Sequence, residues 1–368
     1  MKPIRLSVCV LGALAASLLL RAPVQGNVTE PGHQQAQQAV IKGLRWLAAV
    51  QGADGGWGQD GGGTSTVRAG QNLETTGNDV ANTAVATLAL LRSGPASLQG
   101  EYGRSIRRGV QFVLQSVENS PTEGLAVTSI TGTQIQRKLG PFIDTFLSSM
   151  LLSEVDGVLG DPQENRRVRR ALEKCITKIE KNQQQDGSWN ISGGWAPILG
   201  TSIASRSLYA ARLKGVPVSP QVMGKVSDYT KKSAQAGPVA AEAAAGVALY
   251  QGAQALEQLS RTDADRRGND REIKSITDEL SSARFVRGFG SMGGEEFFSY
   301  LNISDSLRRA GGEPWSKWNN QIKPTLVKLQ NEDGTWAGHH CITGRVAVTS
   351  AAVLTLTADQ RAVQAKAR

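Results

Sequence analysis

Three copies of one seven-residue pattern, Gln-x-x-Asp-Gly-x-Trp, run Gln51–Trp57, Gln183–Trp189 and Gln330–Trp336. Each ends a helix-like stretch: AVIKGLRWLAAVQ, ALEKCITKIEKNQ and IKPTLVKLQ. Four fixed residue types recurring three times mark a chain built from repeats. Each copy reads as a helix-ending device. Asp-Gly supplies a tight turn in which Gly is free to take positive φ after the helix. The Trp is placed to cover the helix end, and the Gln amide to bond backbone groups left over there. A brace of this kind fixes architecture rather than chemistry.

Helix-like segments pair along the whole chain. The first of each pair is amphipathic and charged, at 34–51, 101–117, 162–182, 219–235, 268–284 and 314–330. The second is small-residue and apolar nearly all round, at 78–93, 141–154, 198–213, 238–258, 294–309 and 342–358. A helix apolar on every side must be covered on every side. Six charged helices outside and six small-residue helices inside predict an all-α fold, a single closed (α/α)6 toroid of six helix hairpins. No stretch alternates convincingly with period two, so strands should be nearly absent. The three motifs and this helix count resemble the squalene cyclase and prenyltransferase repeat superfamily, whose members share an α/α toroid. The resemblance covers residues 34–358. It implies the fold; the superfamily includes several chemistries and some non-enzymes, so no single activity follows.

Residues 1–26 read as a secretory signal. Lys2 and Arg5 precede an apolar run from Leu6 to Leu20, and small residues follow before a cut at Asn27. The run is too short to favour a spanning helix. The mature chain is therefore expected in the periplasm or secreted, without a stable membrane span. Residues 27–360 are assigned to the toroid and 361–368 to a disordered basic tail. Cys9 leaves with the signal, and Cys175 with Cys341 allows one disulfide but no framework. The basic excess gathers on Arg166, Arg167, Arg169, Arg170, Lys174, Lys178 and Lys181. Without aromatics between them these read as the solvated face of a helix, with weak attraction to an anionic envelope surface. Nucleic acid is not an expected partner for an exported chain lacking a recognition motif.

The connections are unequal. Loops 52–77, 118–140 and 183–197, from first to second helix, are long and rich in Gly, Ser and Thr, whereas links 94–100, 155–161 and 214–218 are short. Helices alternate in direction, so all the long loops emerge on one face, where a binding mouth is expected. The same face receives the starts of the inner helices, with Asp79, Asp144, Glu295, Glu296 and the His339-His340-Cys341 run. Helix starts favour acids, so Asp79 and Asp144, each taken alone, are read first as capping or first-turn residues and second as catalytic ones.

The signatures that would fix one activity within the superfamily are missing. There is no Asp-x-Asp-Asp acid of class II terpene cyclases; Asp263-Ala264-Asp265 is followed by Arg266 in a polar linker. The aspartate-rich Asp-Asp-x-x-Asp motif, the Asp-x-Cys of protein prenyltransferase zinc sites and the thioester Gly-Cys-Gly-Glu-Gln are also absent. What remains is GHHCITGR, residues 338–345. His and thiolate are natural zinc ligands, which marks His339, His340 and Cys341 as candidate ligands helped by Glu295 or Glu296. A metal-free acid/base site using either glutamate with His340 stands beside it. Lanthionine-forming cyclases offer a looser likeness, but Cys175 lies on an outer helix facing the wrong way. Arg345 is placed to clamp a carboxylate or phosphate, or else to pair with one of the glutamates. Two readings follow. One is an exported enzyme acting on a small or lipid-like substrate through Asp79, Asp144, Glu295, Glu296, His340 and Cys341. The other is a non-catalytic binding or scaffold ring for an envelope partner or polymer. A polysaccharide lyase or hydrolase is a third, against which no aromatic-lined sugar groove is identifiable.

Overall fold

A computed structural model describes residues 31–60, 77–94, 98–191, 197–235, 247–280, 293–338 and 342–360. These residues contain fourteen α-helices and no strand, with one isolated bridge between Trp57 and Asp79. Six helices carry the amphipathic, charged sequences: α1 (Pro31–Ala49), α3 (Gly103–Asn119), α6 (Pro162–Lys181), α8 (Pro220–Gln235), α11 (Asp270–Leu280) and α13 (Gly312–Leu329). Six carry the small apolar ones: α2 (Val80–Leu91), α5 (Ile143–Val155), α7 (Pro197–Leu213), α9 (Val247–Leu259), α12 (Gly294–Ala310) and α14 (Arg345–Leu356). Two short helices lie in connections. α4 (Gln134–Leu139) sits in a long loop, and α10 (Asp263–Gly268) in the segment read from sequence as a linker.

The α/α toroid is the observed arrangement. Inner helices pack in series, α2 on α5 on α7 and α9 on α12 on α14, and α14 returns to α2. Outer helices cover them, and α1 packs on both α13 and α14, so the first repeat meets the last. The reason is visible in burial. α2 is buried from Val80 through Leu90, whereas α3 buries only one stripe, including Ile106, Val110, Val113 and Val117.

The repeated motifs do brace the ring, but the bond to the helix end expected of the Gln is made by the Trp. Each Trp indole donates to a carbonyl in the last turn of its own outer helix: Leu47 at 2.8 Å, Ile179 at 2.7 Å and Leu326 at 2.7 Å. These are carbonyls that a helix end leaves without an internal partner. The Gln amide instead reaches onward to the next outer helix. Gln51 donates to Ser105 O (2.9 Å), Gln183 to Val222 O (3.0 Å) and Gln330 to Ala39 O (2.8 Å), each also bonding its own motif Gly carbonyl. The Trp backbone N–H meets an inner-helix threonine: Thr83, Thr201 or Thr349. Every copy thus joins one outer helix, its inner partner and the next outer helix. The motif glycines Gly55, Gly187 and Gly334 take φ of 91°, 92° and 86°. At Gly187 a Cβ would also lie 2.2 Å from Lys225 O, so glycine is required twice over.

The end of the ring opposite the long loops is closed by charge. Arg92 bonds Glu154 and reaches Asp305 at 3.4 Å; Arg206 bonds Asp305 and donates to Asn302 Oδ1 at 2.7 Å. Glu257 holds Arg261 (2.9 Å) and Arg309 (3.4 Å), and both guanidinium groups lie over the Tyr209 ring. Arg92, Arg261 and Arg309 stand at the C-terminal ends of inner helices and suit the dipoles there, while Arg206 lies mid-helix, and each of these cations is paired.

Candidate functional site

Asp79 is the N-cap of α2. Its Oδ1 accepts from Asn82 N at 2.8 Å and its Oδ2 from Asn82 Nδ2 at 2.7 Å. Asp144, in the first turn of α5, does not cap its own helix. Its Oδ1 accepts from Ala81 N of α2 at 3.1 Å, and its Oδ2 from Gln136 Nε2 at 2.7 Å. The first turn of α2 therefore draws two carboxylates, from two different inner helices, and both are almost fully buried. Burial pushes the Asp79 carboxyl up to about 6 against the bonds from Asn82. Burial, and then the neighbouring Asp79 charge, push Asp144 up to about 7. Backbone N–H groups favour the ionised form of each, and desolvation outweighs them.

Gln136 was not singled out from sequence. It belongs to α4, whose start is a capping box: Thr133 Oγ1 accepts from Gln136 N, and Gln136 Oε1 accepts from Thr133 N. Thr133-Gln-Ile-Gln136 is the sequence signal that marks it. The Gln136 amide splits its two hydrogens between Asp144 and Ile130 O (2.9 Å). α4 thus ties a long loop to a buried acid. Neighbouring Gln134 bonds Thr343 and Gly344, joining that loop to the start of α14.

Glu295 and Glu296 occupy the first turn of α12, both buried. They start an inner helix at the same end of the ring as Asp79 and Asp144, but α14 stands between α12 and α2. Glu296 Oε2 accepts from Tyr300 at 3.1 Å, and burial followed by Glu296 raises the Tyr300 phenol. Tyr300 packs against Phe297 and Trp318. Arg345 bonds Asp60 (3.1 Å) and Asp333 (3.1 Å) and lies over Trp46 at 5.2 Å. Its carboxylate partners are these aspartates, not the glutamates considered from sequence. His339, His340 and Cys341 lie outside the described residues. Among the described residues no group of three or more His, Cys, Asp and Glu is spaced to hold a metal. Cys175 is buried in α6, and burial pushes its thiol up to about 12, far from a reactive thiolate.

A cavity of about 750 Å³ opens on the long-loop face between α3, the segment 119–130 and the start of α5. Val80, Phe112, Leu125, Val127, Ile130 and Phe142 supply most of its apolar wall. Val80 follows Asp79 directly and Phe142 precedes Asp144 by two residues, so each acid adjoins a wall residue in sequence, although neither carboxylate lines the chamber itself. Its volume falls within the range of about 300–1,000 Å³ usual for small-molecule sites.

Residues 23–138 match the family described as squalene-hopene cyclase C-terminal domain. The repeat is squalene cyclase-like. The matched stretch holds the first brace, Asp79 and Gln136 and stops short of Asp144. Among solved structures, the apo type II terpene cyclase MstE from Scytonema is similar at 12% identity and a TM-score of 0.49, over 88% of this chain and 98% of that one. No curated protein sequence matches significantly. Among the described residues no helix is long and apolar enough to cross a membrane.

Proposed function

We propose that this squalene cyclase-like toroid is an exported protein that takes a small or lipid-like apolar ligand into the chamber on its long-loop face and acts on it by acid/base chemistry at Asp144, with Asp79 as its charged neighbour. The observation that carries this reading is the pair of buried carboxyls raised toward neutrality, each within two residues in sequence of a residue that lines the apolar chamber. Strongly shifted acids beside a cleft are the usual mark of a working site. A carboxyl titrating near pH 7 is suited to giving a proton to an apolar substrate and taking one back. Both oxygens of Asp144 already accept N–H bonds, which fixes its orientation before a ligand arrives.

The test separates binding from turnover. Mature protein is incubated with squalene as a representative alkene, and products are followed by mass spectrometry, with Nile red fluorescence as an independent probe of the chamber. Product from the parent and none from Asp144→Asn, with Nile red binding retained, is the expected result. Nile red binding without product from either protein would favour the non-catalytic binding ring, and no binding at all would overturn the chamber reading. Zinc held by His339, His340 and Cys341 rests on residue type and spacing. Elemental analysis of the parent beside the His340→Ala, Cys341→Ala double variant tests it.

A further inference from the structure

The outer wall of the chamber is unusual in how it is held. Among the described residues, 121–132 make no backbone–backbone hydrogen bond. Side chains from four surrounding helices bond its carbonyls instead. Lys178 donates to Glu123 O (3.3 Å) and Gly124 O (2.9 Å), and Lys174 secures the end of α3 just before the segment, at Glu118 O (3.1 Å) and Ser120 O (2.5 Å). Thr145 holds Leu125 O, Ser116 holds Val127 O and Gln136 holds Ile130 O. The carbonyls are thereby turned onto these donors, while Leu125, Val127 and Ile130 line the chamber. An unpaired carbonyl would draw water to the wall, so the donors keep it apolar.

Lys178 is the most exceptional of them. It lies on the helix whose basic run reads as a solvated face, yet its side chain is only 1% exposed. Lysine is almost never so buried without a reason. Here its ammonium group has carbonyl acceptors at the apex of the wall. We propose that Lys178 is a specificity-determining positioning residue: it holds residues 121–127 so that the chamber presents a dry apolar wall and selects uncharged apolar ligands. This rests on the chamber being a ligand site.

The test uses mature protein, Nile red and two variants. Lys178→Met keeps the length and removes the donor; Lys178→Arg keeps a cationic donor. Loss of the Lys178 contacts to the Glu123 and Gly124 carbonyls is expected to weaken Nile red binding about tenfold and red-shift its emission in Lys178→Met, with Lys178→Arg near the parent. Lys178→Met with parental affinity and emission would overturn the proposal. Limited proteolysis within 121–127 provides a readout independent of any ligand. Faster cleavage there in Lys178→Met, with the remaining chain as resistant as in the parent, is the expected pattern, and an unchanged cleavage rate overturns the strap even if Nile red binds neither protein. Should Lys178→Met fail to fold, Ser116→Ala, which frees Val127 O, takes its place with the same outcomes.

Discussion

Asp79 and Asp144 accept bonds at the same helix start but from different positions, and the difference was only half readable in the sequence. Capping explains Asp79, as its place before Val80 suggested. Asp144 sits where a residue could cap α5, yet it bonds α2, a long-range contact that no local spacing displays. Both carboxyls titrate higher in the folded chain than the value of about 3.9 expected when unfolded. Between about pH 4 and pH 7 the folded state therefore binds more protons, and the stability these groups contribute is full at low pH and lost as pH rises through 6 and 7. Asp79→Asn keeps an N-cap, and the free Oδ1 of Asn82 can accept from the new amide after a flip. At pH 8 this variant is expected to exceed the parent by ~1–3 kcal/mol in urea unfolding, with the gain shrinking toward pH 4. Equal differences at both pH values would mean that burial of charge is not what strains the site. His339, His340 and Cys341 drew notice through residue type alone; Gln136 and Lys178 needed the fold to be noticed, because each acts on a segment distant in sequence.

At the scale of the element, the twelve paired helices were readable because two periodic patterns alternate along the chain, one striped and one apolar throughout. The short helices were not. α10 is only six residues of polar sequence, with no apolar periodicity to reveal it, although Thr262 and Asp265 form a capping box. α4 was hidden in the same way inside a Gly- and Thr-rich loop. The motif's glycine was understood as a turn residue, but its packing was not foreseen. Gly187→Ala must force a side chain into φ near +92° and against Lys225 O, whereas Gly215, at φ 74°, has open space. Gly187→Ala is expected to cost at least ~3 kcal/mol and Gly215→Ala about 1 kcal/mol, measured by chemical denaturation. Similar losses at the two sites would show that close approach to α8 adds nothing to the backbone strain.

For the whole molecule, closure matters more than any single helix. The third brace runs from Gln330 to Ala39, and α1 starts and α14 finishes at the end of the ring carrying the short links. A circular permutant joining residue 360 to residue 31 by a flexible linker, with new ends in the short 214–218 link, should then fold and melt within a few degrees of the parent. A molten or insoluble permutant would mean that closure depends on the order of the chain. Such closure has a consequence for how the protein comes into being. A growing chain emerges α1 first, but the partner that covers one side of α1 is encoded three hundred residues later. Until Gln330 and Trp336 arrive, every intermediate is an open arc with two unmatched ends, each shaped to accept the other. Two unfinished or truncated chains carry the same complementary ends. Synthesis stopped just short of residue 330 would leave an arc able to capture α1 of a second copy, turning one ring into the start of a filament.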